Sequence, residues 1–325
     1  MSKHSQNDVD CSVCHGEDHK AANDYAVARI PTPETCAQCH EKKLTQFKKG
    51  KHALAWAAMK AMPTAHAQPV AMMEGMKGCG ACQTCHMGFD HPQWEMYSAS
   101  KHGVRYLLKQ NKTLPESVAA PACQACHMQE GNHEVRTAWG FLAVRLPMPE
   151  DKQWTADRAT ILQGLGVLDP AGNPTGRLEV VKAVDLARLT QEAWQAERDK
   201  MIKTCNLCHS VNFAKAELAK GDDMIREVDH LMAEAIRLVA GLYTDGIIPK
   251  PANYAYPFPD LLTFHDAATE VEQELFVMFL EHRMRSFQGA FHANPDYALW
   301  YGWSEIRRSL KKVETMAAEM RAAHK

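Results

Sequence analysis

The sequence predicts a mainly α-helical protein, in which a cysteine-rich N-terminal region precedes long C-terminal helices. Three observations support this prediction. Apolar residues recur at helical spacing through most of residues 179–325. Before residue 135, the periodic segments are short, and proline and glycine interrupt them often. The 325 residues also include 11 cysteines and 17 histidines, and most of the cysteines precede residue 135. An N-terminal region of this kind needs more than side chains to build its core.

The composition excludes several classes of protein. The chain is 46% hydrophobic and 23% charged, and its formal net charge is -2. These values are typical of a globular protein and predict no binding to nucleic acid or to an anionic membrane. No apolar run approaches the ~18 residues that span a bilayer. A disulfide framework is not expected, because the cysteine count is odd and the chain is long enough to bury a core.

The elements follow from composition and periodicity in chain order. Residues 1–135 carry four cysteine motifs, and helices are expected at 41–61 and 94–110. Residues 136–178 form a turn-rich connection in which a short strand could form, since proline and glycine recur there. The helical region from 179 onward is predicted to contain helices at 179–204, 210–243 (with a possible break at Gly221), 266–287 and 298–323.

One motif accounts for ten of the eleven cysteines. The chain reads Cys-x-x-Cys-His five times, which is the attachment signature of c-type haem. Two thiols one helical turn apart can bond the two vinyl groups of one porphyrin, and the adjacent histidine becomes the proximal iron ligand. The sequence therefore predicts five covalently attached haem c groups, at Cys11, Cys14 and His15; Cys36, Cys39 and His40; Cys82, Cys85 and His86; Cys123, Cys126 and His127; and Cys205, Cys208 and His209.

Two other readings of a Cys-x-x-Cys pair are a zinc half-site and a thioredoxin-like redox pair. Neither explains a histidine in the next position five times out of five. Cys79 is left over, because the frame that starts there ends in Gln83 and supplies no axial histidine. We interpret Cys79 as a free thiol or as the remnant of another site.

The sixth iron ligands must come from the remaining histidines. Three candidates share a Ser-Lys-His or Gly-Lys-His pattern at or near the start of a predicted helix: His4, His52 and His102. Three others lie in polar loops: His19, His66 and His133. The C-terminal histidines are expected mostly in packing or at the surface, although one of them could ligate. An iron without a sixth ligand could bind a small molecule.

The predicted cofactor also predicts a location. Because haem c is attached outside the cytoplasm, we expect a periplasmic or extracellular protein. The given chain begins without an apolar stretch of signal-peptide type, so the signal is expected to be absent from it.

Several longer motifs resemble octahaem hydroxylamine oxidoreductase, and the resemblance extends over nearly the whole chain. The motifs are residues 63–69 (PTAHAQP), 75–80 (GMKGCG), 85–93 (CHMGFDHPQ), 100–103 (SKHG), 291–297 (FHANPDY) and 300–303 (WYGW).

The resemblance implies a mainly helical fold with densely packed haems, and commonly a trimer. Members of that family oxidise hydroxylamine or hydrazine, or catalyse related reductions of nitrogen oxides. It also implies an active haem with an open site, an Asp-His pair that handles protons and, in oxidative members, a tyrosine cross-link to that haem. By position, Asp90 and His91 match the pair. Tyr297 or Tyr301 lies in the cross-link region.

The sequence departs from the family pattern at one important place. The family has eight haem motifs, and this chain has five. In the family, a histidine would follow residues 78–82 and complete the catalytic haem motif, but here Gln83 follows. This looks like a deletion that fused two distant motifs. The resemblance therefore implies a scaffold that keeps the electron-transfer haems and lacks the family's catalytic haem.

Two functions follow from these observations. The favoured one is electron transfer through closely packed haems, most of which have two histidine ligands. The alternative is an oxidoreductase that acts on hydroxylamine, hydrazine or nitrite at one open haem, with the Cys82, Cys85 and His86 haem as the best candidate. The expected partners are redox proteins and further copies of the chain, arranged as a trimer by resemblance or as a stacked polymer.

Overall fold

The computed structural model describes most of the chain as helices joined by turns. Its described residues contain no β-strand, only isolated bridges at Gly140–Ala187 and Leu168–Pro174. This confirms the predicted mainly α fold. Searching the same residues finds no helix that is long and apolar enough to cross a membrane. The description omits residues 1–3, 22, 30, 54–81, 85, 89–91, 138, 141, 147–150, 184–186, 253, 263–266 and 325.

The helices longer than one turn are, in chain order, α1 (Cys11–His15), α2 (Pro33–Lys49), α3 (Gln93–Ser98), α4 (Lys101–Gln110), α5 (Cys123–His127), α6 (Lys152–Gly164), α7 (Gly176–Ala183), α8 (Gln191–Cys205), α9 (Val211–Thr244), α10 (Glu270–Val277), α11 (Met284–Phe291) and α12 (Ser304–Ala323). Two π-helical segments, Met278–Arg283 and Ala298–Trp303, continue α10 into α11 and lead into α12. Short 3₁₀ turns lie at Ser5–Asn7, Tyr25–Val27, Cys82–Thr84 and Gln129–Gly131.

The chain forms two compact units. The first comprises residues 1–85 and 123–136, and therefore contains α1, α2 and α5. Among its described residues, no hydrophobic side chain is buried. The described part of this unit therefore has little apolar core of its own.

Helix α2 begins earlier than predicted. Thr32 forms a capping box with Thr35, and Pro33 occupies the first helical position, where its fixed φ suits a helix. The helix ends before Gly50, whose backbone is extended (φ -87°, ψ 167°). The Glu134 backbone packs closely there, and a Cβ on residue 50 would lie 2.5 Å from the Glu134 carbonyl oxygen, so only glycine fits. Residues 54–61 of the predicted helix lie outside the described residues. His40 interrupts the helix with φ of -126° and ψ of 46°, so a predicted iron ligand lies at a kink.

The second unit comprises residues 86–122 and 137–325, and the 34-residue helix α9 is its centre. Helix α9 contacts α6, α11 and α12, and it buries an apolar face that includes Val228, Met232, Ile236 and Val239. It runs unbroken through Gly221, where a Cβ would lie 2.2 Å from the Phe291 ring. The glycine therefore allows α9 and α11 to approach closely and does not break the helix.

A buried ion pair ties the segments around α9 together. Arg283 and Asp229 are both almost fully buried, and the Arg283 Nε atom donates to Asp229 Oδ1 at 2.8 Å. The same guanidinium donates to the carbonyl oxygens of Leu142 and Ala143. Trp154 completes the site by donating its indole N–H to Asp229 Oδ2 at 2.8 Å. Because every charged group here has partners, the pair can be buried at low cost.

Helix α6 corrects the expectation that residues 136–178 hold only turns and a possible strand. Asp151 caps it by accepting a hydrogen bond from the Trp154 N–H at 2.9 Å, and Ile161 and Leu162 are buried in the core. The prolines and glycines on both sides hid this short helix from the sequence pattern.

Two predicted helices are each divided in the structure. The expected helix at 94–110 is split into α3 and α4, because Ser100 starts a new helix by accepting from the Gly103 N–H at 3.1 Å. The expected helix at 179–204 is α7 and α8, and Thr190 caps the second of these. The predicted helices at 266–287 and 298–323 correspond to the continuous helical stretches that end at Phe291 and Ala323.

Candidate haem sites

The Cys-x-x-Cys-His motifs lie on short helical turns. Two of them are the whole of α1 and α5, a third lies inside α2, and a fourth begins at the last residue of α8. Residues three apart share one face of a helix, so each motif can present both thiols on one side. None of the described motif cysteines forms a disulfide, and all are exposed or half-exposed. Cys85 lies outside the described residues.

In the first unit, the structure brings His4 to His40. Their ring centroids lie 5.9 Å apart and the ring planes are tilted by 52°. A metal bound between two imidazoles by bonds of about 2 Å, the length known for zinc, separates the ring centroids by about 6 Å. The spacing of this pair therefore fits one iron held by both residues.

A second pair of the same kind lies in the second unit. The ring centroids of His102 and His209 are 6.0 Å apart, at 62°. Burial lowers the pKa of His102, and the neighbouring His209 and Arg105 lower it further. The imidazole is therefore kept neutral, which is the form that binds metal. His209 also stacks on Phe213 at 4.9 Å.

The histidine of the first motif, His15, and the nearby distal candidate His19 both have polar partners at Nδ1. His15 Nδ1 lies 2.9 Å from the Arg29 carbonyl oxygen, and the buried His19 pairs with Asp24 through Nδ1. A ligating histidine usually donates its second ring N–H in this way, which leaves Nε2 for the metal. The two ring centroids are 5.2 Å apart, closer than the pairs described above.

The remaining distal candidates differ in their surroundings. His133 Nδ1 lies 3.0 Å from the Gly131 carbonyl oxygen, and its backbone N–H donates to Gln46 Oε1 at 3.3 Å. His52 lies at the helical turn just after Gly50. His66 lies outside the described residues.

The proximal residue His86 is held against α3. Its carbonyl oxygen accepts from the Trp94 N–H at 2.8 Å, and the Glu95 carboxylate accepts from the Gly88 N–H at 2.9 Å. His86 Nδ1 faces Gln93 Oε1 at 3.4 Å, and Gln93 Nε2 donates to Gln288 Oε1 at 2.9 Å. Sequence reasoning did not select Gln93 or Gln288. The only available signal was that Gln93 lies soon after a haem motif.

The predicted catalytic residues are only partly described. Asp90 and His91 lie outside the described residues. Tyr297 and Tyr301 lie one helical turn apart with ring centroids 4.8 Å apart, and Tyr301 is 58% exposed. Asn294 caps the turn that carries Tyr297 and donates to the Met96 carbonyl oxygen at 2.8 Å, which holds this turn against α3.

The environment of Tyr297 contains further charged groups. Burial raises the pKa of Tyr297, and Glu95 and Tyr301 add to that rise, whereas Arg285 opposes it. Glu95 was not selected from the sequence. The phenol therefore stays protonated, with Glu95 and Arg285 acting on it electrostatically.

Two haem motifs come close to each other at their first cysteines. Burial raises the pKa of the Cys123 thiol, and the neighbouring Cys82 raises it further. These thiols begin two different haem motifs. Groups attached to them would therefore lie side by side at this edge.

Exposed apolar side chains near the motifs also fit a large apolar cofactor. Leu207 lies between the two cysteines of the last motif and is 83% exposed, and Phe213 shortly after it is 49% exposed. Val104 and Leu108, on the same helix as His102, are exposed as well. A porphyrin between His102 and His209 would have these side chains as neighbours.

Comparisons with known proteins agree with these sites. A family model described as seven-times multihaem cytochrome CxxCH matches residues 64–159 and 178–253, more than half of the chain. The chain is 25% identical over 403 residues to a probable nitrite reductase-hydroxylamine oxidoreductase fusion protein of Kuenenia stuttgartiensis. That match covers 96% of this chain and 45% of the relative, so the chain spans less than half of the relative's length.

Two solved structures share the fold. One is a reducing HAO-like protein complex of Kuenenia stuttgartiensis, with a TM-score of 0.67, 21% identity, and coverage of 97% of this chain and 75% of that one. The other is a hypothetical multihaem protein, with a TM-score of 0.64, 17% identity, and coverage of 97% and 85%. The cysteine motifs and the family match together establish that this chain is a multihaem c-type cytochrome, and its relatives include hydroxylamine oxidoreductase-like proteins.

Proposed function

We propose that the protein transfers electrons through five closely spaced haem c groups. The five Cys-x-x-Cys-His motifs in 325 residues carry this proposal, and two of them come close to each other at Cys82 and Cys123. Each haem iron, when bound, supplies reversible one-electron oxidation and reduction. The chain's own contribution is to hold neighbouring haems close together.

The facing histidines support the same function. His4 with His40, and His102 with His209, bring two imidazoles to a spacing that suits one iron between them. An iron with both axial positions filled keeps its ligands when its charge changes, so little structural rearrangement accompanies electron exchange. We assign the distal positions of these two haems to His4 and His102. His19, His52, His66 and His133 remain the candidates for the others.

The number of haems is part of the proposal. The matched family model is described by seven motifs. This chain has five complete ones, and Cys79 begins a frame that ends in Gln83. We therefore propose five haems per chain, with Cys79 outside the set.

The proposed location and partners follow from the cofactor and the surface. Cytochromes with covalently attached haem are assembled outside the cytoplasm, so we place the protein there, where it exchanges electrons with other redox proteins. We also propose association of copies, as a trimer or a stack. The exposed Leu299, Trp300 and Tyr301 support this proposal, because Trp300 is 65% exposed and an exposed apolar patch is typical of an interface.

A second candidate function is an oxidoreductase for hydroxylamine, hydrazine or nitrite. The observation in its favour is that Asn294 holds the turn of Tyr297 against α3, the helix that follows His86 and carries Glu95. In this alternative, Glu95 and Tyr297 hold or donate protons, and Asp90 and His91 are further candidates. One sequence relative is named a nitrite reductase-hydroxylamine oxidoreductase fusion protein.

Spectroscopy of the purified holoprotein separates these two functions. For electron transfer, we expect a haemochrome assay to give five haems per chain, EPR to show low-spin haem, and added hydroxylamine to leave the oxidised protein unreduced. High-spin haem together with turnover of hydroxylamine would establish the enzyme instead. A haem count other than five would contradict the proposed stoichiometry.

A further inference from the structure

Two hydrogen bonds hold the backbone around His86 against α3. The Trp94 N–H donates to the His86 carbonyl oxygen at 2.8 Å, and the Gly88 N–H donates to Glu95 Oε1 at 2.9 Å. Both contacts tie the segment just after the haem motif to the first turns of α3. The imidazole of His86 therefore has a defined position relative to Gln93, the first residue of α3.

Gln288 fixes which end of the Gln93 amide faces His86. Gln93 Nε2 donates to Gln288 Oε1 at 2.9 Å, so Gln93 Oε1 is the atom that faces His86 Nδ1, at 3.4 Å. Gln288 lies on α11, where its backbone carbonyl oxygen is 2.7 Å from His292 Nδ1. The Gln93 and Gln288 amides form a short hydrogen-bonded relay, and its far end lies on α11.

The relay bears on iron chemistry through the proximal ligand. When Nε2 of His86 binds iron, Nδ1 carries the proton. The Nδ1–H group can then donate a hydrogen bond to Gln93 Oε1. A hydrogen bond at that proton makes the imidazole a stronger electron donor, which favours the oxidised iron. Hydrogen bonding to an axial ligand is one of the means by which a protein sets a haem potential.

We propose that Gln93, oriented by Gln288, is a positioning residue that lowers the reduction potential of the haem attached at Cys82 and Cys85. This inference deepens the proposed electron-transfer function and rests on it. It assigns a role to two glutamines that touch neither an attachment thiol nor a distal histidine.

The test compares three variants of the full holoprotein by potentiometric titration followed by EPR. Gln93→Leu removes the acceptor, so one haem is expected to shift to a higher potential. Gln93→Glu replaces the amide with a charged, stronger acceptor, so the same haem is expected to shift to a lower potential. Gln288→Leu leaves Gln93 unanchored and is expected to give a smaller upward shift. Gln273→Leu, at an exposed position on α10, is the matched control and should leave every potential unchanged.

The opposite signs distinguish a hydrogen-bond effect from general damage. A misfolded site would shift the leucine and glutamate variants in the same direction, and that result would overturn the proposal. Unchanged potentials in both Gln93 variants would overturn it as well. Failure of the wild-type haems to exchange electrons with each other would instead refute the proposed function, while a haem-specific shift in potential would still be measurable.

Discussion

At the scale of single residues, the contacts of both ring nitrogens separate a ligand histidine from other histidines. His15 and His133 each place Nδ1 on a backbone carbonyl oxygen, which leaves Nε2 for a metal. His230 is different, because Asp157 lies 2.9 Å from Nδ1 and Glu234 lies 3.5 Å from Nε2. The sequence could select His4 and His102, since a short pattern repeats around them. The sequence could not predict the hydrogen bond between His292 Nδ1 and the Gln288 carbonyl oxygen, because that contact depends on where α11 ends.

The assignment of His102 is tested by removing its imidazole. In His102→Ala, the iron bound by His209 loses its sixth ligand, so we expect one haem per chain to change from low spin to high spin. EPR and the optical spectrum measure this change. His230→Ala is the matched control and should leave the spin states as they are. A fully low-spin His102→Ala protein would assign the distal position to another residue.

His282 gives a prediction about pH. Burial is the main reason that the pKa of His282 falls from 6.5 to about 4, with Arg285 adding to the effect and Glu305 and Glu274 opposing it. The unfolded chain binds a proton at His282 more readily than the folded chain does. The contribution of His282 to the free energy of unfolding is therefore complete above pH 6.5 and is lost as the pH falls towards 4. The loss amounts to about 3 kcal/mol.

Urea unfolding at several pH values measures the effect. The difference in unfolding free energy between the wild type and His282→Gln should change between pH 7 and pH 4.5 and stay constant above pH 7. A difference that does not vary with pH would show that His282 does not titrate with folding.

At the scale of elements, side chains at helix ends decide where the ligands lie. Ser100 ends one helix turn and starts α4, which places His102 in the first turn of that helix. The sequence predicted one helix through this point, since apolar periodicity continues across the break. Periodicity could not reveal the break, because the break depends on the Ser100 cap and on the close approach of Gly103 to Tyr97. The same limit explains why α6 was missed and why Gly221 was read as a possible break.

Gly103 tests this placement. A Cβ at Gly103 would lie 1.8 Å from the Tyr97 carbonyl oxygen, so Gly103→Ala must displace the start of α4. We expect a loss of about 1–3 kcal/mol in unfolding free energy and partial high-spin character at the haem that His102 ligates. Gly176→Ala is the control, since nothing lies within 4 Å of a Cβ there. Equal stability of the two variants would show that the backbone at Gly103 can shift without cost.

At the scale of the whole molecule, the two units have different sources of stability. The second unit has an apolar core around α9, whereas no hydrophobic side chain is buried among the described residues of the first. The sequence predicted this contrast, because helical periodicity is strong only after residue 179. It could not predict that residues 86–122, which it grouped with the N-terminal region, belong to the second unit. That association rests on contacts between distant residues, such as the hydrogen bonds of Gln93 with Gln288 and of Asn294 with Met96.

This difference in apolar core predicts that the two units differ in resistance to protease when haem is absent. When the chain is produced without haem attachment, we expect the first unit to be cleaved rapidly by protease, while the second persists as a folded core. Limited proteolysis with mass spectrometry identifies the surviving fragments, and the holoprotein is the control. Equal resistance of both units in the haem-free chain would show that the first unit does not need haem to build its core.

The first unit combines residues 1–85 with residues 123–136, and this composition constrains the order in which the unit can fold during synthesis. During synthesis, the motifs at Cys11, Cys36 and Cys82 emerge well before Cys123. Until Arg136 has followed, Lys43, Gln46 and Gly50 lack the segment that contacts the end of α2. We therefore expect the proposed haems of the first three motifs to be attached to an open chain, while their thiols are accessible. This unit is then expected to close last, with those haems already in place.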